Sequence, residues 1–161
     1  MRKLLLIFLG VAAVTTCKAR LGETESELVA RYGEALGHAM KGSLKHVNFR
    51  FNGFSISCDL RDGKCVEEFI MPLPADPPTR ISEETAKALA NRITGATNWV
   101  ADGTKGNFKQ WYSADTDATM LLMVDAKPRD LPLDTLTVST RAEAARRRED
   151  AKSKNPKADG F

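Results

Sequence analysis

Few residues in this chain have both the type and the setting to do chemistry. Neither of its two histidines, His38 and His46, lies in a helical ligand pair such as H-E-x-x-H. Cys58 and Cys65 have six residues between them, where a zinc pair has two to four. No nucleophile elbow, phosphate-binding loop or dinucleotide fingerprint occurs. Glu67 and Glu68 are a carboxylate pair in a strand pattern, but neighbouring strand residues point to opposite faces, so they cannot act as acid and base across one substrate. The one on the core side is expected near the strand end, in water. Asp115, Asp117 and Asp125 could chelate calcium, although two aspartates around a threonine are also the ordinary way to build a turn. Trp99, Trp111 and Tyr112 could contact a ligand or protein partner, or they could close the end of a core. This inventory names no catalytic residue, no cofactor and no metal site.

Cys17 belongs to a different question, because it follows an apolar run. Arg2 and Lys3 precede eleven apolar residues, Leu4 to Val14, and a small and polar stretch runs to Ala19. That is the layout of a secretory signal, and a spanning helix needs about 20 residues. Cleavage after Ala19 puts Ala19 and Cys17 at the −1 and −3 positions. Lipoprotein processing would instead cut before Cys17 and acylate it, but Thr16 and Val14 depart from the lipobox. The first reading gives an exported protein, periplasmic or extracellular, and the second a membrane-anchored one.

Removing residues 1–19 takes Arg2, Lys3 and Lys18 away and leaves the acids untouched, so 24 bases fall to match 21 acids. A neutral mature chain gives no reason to propose nucleic-acid binding, which needs a clustered basic face. Residues 20–140 are enough for one domain with a real core.

The elements that must position these residues are legible in part. Thr24-Glu25-Ser26-Glu27 is a capping box, and Leu28, Val29 and Tyr32 give the helix after it an apolar side up to Gly33. Val47, Phe49 and Phe51 alternate with polar residues, Asn52-Gly53 follows, and Phe54, Ile56, Cys58 and Leu60 resume the alternation. Asn-Gly is the preferred two-residue hairpin turn, and it pairs Phe51 with Phe54, Phe49 with Ile56 and Val47 with Cys58.

Asp62-Gly63 turns into a strand from Lys64 to Met71. With a two-residue turn, Cys58 faces Glu67 and lies diagonal to Cys65 at about 7 Å or less. With a three-residue turn and a bulge, Cys58 faces Val66 and Cys65 points away. A Cys58–Cys65 disulfide is strained in the first register and forbidden in the second. It stays open beside the reading of Cys58 as a small buried hydrophobe.

Ser82 caps a second helix with Ala86, Leu89, Ala90 and Ile93 on one face and Gly95 at its end. "NFKQWYS", "ATMLLMVDA" and "LDTLTVST" read as three more strands, the middle one apolar on both faces. The fold class is therefore α+β: an antiparallel sheet of two three-stranded meanders with two short helices, in the order α-βββ-α-βββ. That order looks like a loose duplication. Residues 141–161 read as a charged helix or a solvated tail.

At "RLGETESELVARYGEA" and "NGFSISCDLRDGKCVEE" the chain resembles small exported bacterial proteins of unknown function, a resemblance that implies no activity. In element order it is similar, more remotely, to the small outer-membrane-assembly lipoproteins (SmpA/OmlA type) and to β-lactamase-inhibitor-like folds. The expected function is a non-catalytic binding module whose exposed sheet face or aromatic loop meets an envelope or extracellular protein. The alternatives are a small hydrolase, which needs His38, His46 or an acidic pair to converge in a cleft, and a structural component of the envelope tethered through Cys17.

Overall fold

The computed structural model describes residues 21–74, 80–124 and 134–154. The segment expected to be a signal, residues 1–19 with Cys17, and Asp125 lie outside them. Helix α1 (Glu25–Tyr32) opens with the complete capping box: the Thr24 side chain accepts from Glu27 N, and Thr24 N donates to Glu27 Oε2 at 2.7 Å. Strands β1 (Gly37–Lys41), β2 (Leu44–Phe51), β3 (Phe54–Arg61) and β4 (Lys64–Pro72) follow. Asn52 and Gly53 both take positive φ, 48° and 81°, as a tight hairpin turn requires, and the three expected pairs of β2 and β3 are all formed. Helix α2 (Glu83–Thr94) is capped by Ser82 and ends on Gly95 at φ 70°. Strands β5 (Trp99–Lys105), β6 (Phe108–Ser113), β7 (Ala118–Met123) and β8 (Thr135–Thr140) lead directly into helix α3 (Arg141–Lys154).

All eight strands form one antiparallel sheet in the order β1-β2-β3-β4-β8-β7-β6-β5. The expected pair of three-stranded meanders is thus corrected to two four-stranded ones, joined along β4 and β8. The two added strands, β1 and β5, are the sheet edges. Four of the five β1 residues and the last five of β5 are exposed, so neither carries the alternation that marks a half-buried strand. The chain order α-ββββ-α-ββββ keeps the twofold pattern, and α3 stands outside it.

The two faces of the sheet differ in kind. Across one face run Val47, Cys58, Glu68, Val138, Met120 and Trp111, paired strand to strand. Helix α1 covers the first half of this face with Leu28 and Tyr32, and α2 covers the second with Ala86, Ala90 and Ile93. Leu21 and Phe54 pack against both clusters and join them. Across the other face run His46, Asp59, Glu67, Ser139, Thr119 and Tyr112, and here α3 docks. Strand β7, expected to be apolar on both faces, alternates strictly: Met120 and Leu122 are buried under α2, while Thr119, Leu121 and Met123 are only half-buried on the other side.

Candidate functional site

The α3 face is built around charge. Asp59 is fully buried in the middle of β3, its Oδ1 against His46 Nδ1 and its Oδ2 accepting from Arg147 Nη2 at 2.7 Å. The same guanidinium contacts Glu67 and lies 4.8 Å from the centre of the Phe69 ring. One helical turn earlier, Glu143 is buried and takes Arg61 Nε and Nη2 at 3.1 Å each, a bidentate pair. Glu143 N donates to Thr140 Oγ1 at 3.2 Å, so the last residue of β8 starts the helix that covers the sheet.

Burial governs the protonation of these acids. It pushes the Glu67 carboxyl up to about 8 against the pull of the Arg147 guanidinium, and the nearby Asp59 and Glu143 carboxylates add to the rise. Asp59 is also raised, by burial, with His46 and Arg147 opposing.

Helix α3 leaves a cleft on each side. The first, of about 260 Å³, lies between the helix and strands β7 and β8, with Leu121, Thr119, Thr137 and Ser139 as its floor and Arg148 and Lys152 on its helical wall. The second, of about 610 Å³, opens between α3 and the β1–β2 turn, and His46, Asp59, Arg61 and Arg147 line it. Ser43 lies in the same cleft, where its hydroxyl accepts from Arg61 Nη1 at 2.7 Å.

The residues singled out by type fall in different places. Glu67 and Glu68 do point to opposite faces, but neither is solvated, since they are 2% and 0% exposed. Glu68 sits on the α1 face and accepts from the Tyr32 hydroxyl at 2.8 Å. The hairpin at Asp62-Gly63 has a two-residue turn followed by a bulge, so Leu60 pairs with Cys65 while Cys58 pairs with Glu68 rather than Glu67 or Val66. Cys58 and Cys65 are both buried and stand as free thiols; one donor atom from each and one from Glu68 lie within 4.8 Å of one another. Trp111 is buried under α2 with the Lys87 ammonium 5.6 Å from its ring. Trp99 Nε1 donates to Asn91 Oδ1 at 2.6 Å, and Tyr112 stands on the opposite face with Arg141 5.5 Å from its ring. These three aromatics therefore do not form one contact surface.

Asp115 receives Thr97 N, Thr97 Oγ1 and the Ser113 hydroxyl, which together hold its carboxyl well below the usual range, and Asp117 is 3.9 Å from Arg141. Both acids serve the turn. His38 is exposed on edge strand β1, and His46 alone meets a carboxylate.

Sequence reasoning passed over Asp59, Arg61, Glu143 and Arg147, and read the segment from Arg141 as a charged helix or a solvated tail, of which the structure has the helix. Two signals for them exist. The Asn52-Gly53 register that pairs Val47 with Cys58 also sets His46 opposite Asp59, and Glu143, Ala144, Arg147 and Ala151 recur at helical spacing along a segment with no apolar stripe.

No family model matches this chain, and no curated protein does either. Among solved structures, it is similar to a cysteine-rich secretory protein from Staphylococcus aureus, with a TM-score of 0.45 and 13% identity, covering 78% of this chain and 45% of that one. It is similar also to an extracellular protein containing an SCP domain from Bacillus anthracis, with a TM-score of 0.47 and 11% identity, covering 80% and 47%. The chain thus spans less than half the length of each. Among the described residues, no helix is long and apolar enough to cross a membrane.

Proposed function

We propose that this is an exported binding module, which meets an envelope or extracellular protein through the cleft between α3 and strands β7 and β8. The observation that carries the reading is the make-up of that cleft. Its floor offers Leu121 among the hydroxyls of Thr119, Thr137 and Ser139, and its wall offers Arg148 and Lys152. An apolar side chain flanked by acids is the complement of such a surface, with the charges setting orientation and approach rate. The partner is therefore a protein segment that is apolar at its centre and acidic beside it. A photo-crosslinking residue at Leu121, presented to envelope extract, is expected to give a saturable adduct that disappears when Arg148→Glu and Lys152→Glu are combined. The same residue at Val29, exposed on α1, serves as control. Equal labelling at the two positions, or indifference to the charge reversal, overturns the proposal.

One observation favours a second reading, a small hydrolase. His46 Nδ1 lies against buried Asp59 at the larger cleft, the arrangement that orients an imidazole as a general base. Turnover that disappears in His46→Asn, with crosslinking at Leu121 retained, separates it from the first.

A further inference from the structure

We propose that Cys58, Cys65 and Glu68 bind a zinc ion under helix α1. The cluster lies on the sheet face opposite the cleft, so it stands or falls independently of the binding reading. In a regular strand, residues three apart point to opposite faces. The bulge in β4 inserts one residue between the Leu60–Cys65 and Asp59–Glu67 pairs, and this turns Glu68 onto the face that Cys65 and Cys58 already occupy. One donor atom from each of the three then lies within 4.8 Å of the other two, and each residue is 0% exposed.

An apolar core needs none of this. Two thiols and a carboxyl packed together out of water leave the pocket unfavourable to negative charge. A divalent cation reverses that balance: two thiolates and a carboxylate carry three negative charges, of which the ion cancels two. Two sulfurs and one carboxylate oxygen suit zinc, whereas a hard cation avoids thiolates and a monovalent copper avoids the carboxylate. The Tyr32 hydroxyl, donating to Glu68 Oε2 at 2.8 Å, holds the carboxylate as outer partners of metal ligands do. Binding displaces the two thiol protons, so affinity falls as pH falls.

Cobalt(II) is the probe, added to the reduced full-length protein in the absence of oxygen. The expected result is one ion per chain, with thiolate-to-metal charge-transfer absorption that zinc abolishes by displacement. Cys58→Ser removes this absorption, and Glu68→Gln weakens uptake about tenfold or more. Reduced wild-type protein without charge-transfer absorption at saturating cobalt overturns the site, a measurement that does not depend on any variant folding. So does uptake unchanged in both Cys58→Ser and Glu68→Gln.

Discussion

Glu67 and Glu68 are neighbours in sequence and share almost nothing else. One lies under α3 beside an arginine, the other under α1 beside two thiols. For Glu67, burial raises the folded-state pKa from an ordinary 4.5 to about 8. Unfolding therefore releases a proton throughout that interval. The stabilising contribution is complete below pH 4.5 and is lost as pH rises towards 8; Asp59, raised for the same reason, acts with the same sign. Thermal unfolding from pH 4.5 to 8 is expected to give a falling Tm for wild type and a flatter profile for Glu67→Gln. Parallel profiles would show that Glu67 keeps its charge in the fold. Strand periodicity was enough to place these two acids on opposite faces. It could not assign the faces, because one bulged residue inverts the parity, and spacing rules for zinc pairs do not see two cysteines brought together by a hairpin.

At the scale of elements, α3 is held by charge where α1 and α2 are held by apolar burial. Its only buried residue is Glu143, and Arg147 joins it to two acids of the sheet. Removing one partner of a buried pair costs about 3–5 kcal/mol. Because the Arg147 side chain is 40% exposed, the discounted cost of Arg147→Ala is about 1–2 kcal/mol. The loss is local, so amide exchange is expected to quicken in α3 while β2 and β3 keep their protection; uniform quickening would mean that the helix is integral to the core. Docking of this kind is hard to read from sequence, since a charged helix without an apolar stripe resembles a solvated one. Edge strands β1 and β5 were illegible for a related reason: their side chains stand in water, and backbone pairing with β2 and β6 leaves no hydropathy pattern. The β2–β3 hairpin and both capped helices were legible because turn chemistry, capping residues and alternation agreed there, whereas Asp62-Gly63 marked the turn of the next hairpin but not its bulge.

For the whole molecule, the question is whether two similar halves make one folding unit. Each has a capped helix over four strands, and their seam between β4 and β8 is four residue pairs long. The pairs include Glu68 with Val138 and Ile70 with Leu136, which belong to the buried rows under the helices, and Leu21 and Phe54 pack against both clusters. Apolar contact across the seam thus accompanies the backbone ladder, which favours a single cooperative transition. Both tryptophans, Trp99 and Trp111, lie in the second half, so their fluorescence reports that half alone. Leu60→Ala lies in the first-half cluster, with Lys45 and Cys65 as its strand partners, and costs about 2–5 kcal/mol. If the halves are coupled, this substitution moves the tryptophan-detected denaturant midpoint as far as the midpoint followed by far-ultraviolet circular dichroism. Were the tryptophan transition to stay at its wild-type position, the seam would be a contact between two independently folding units.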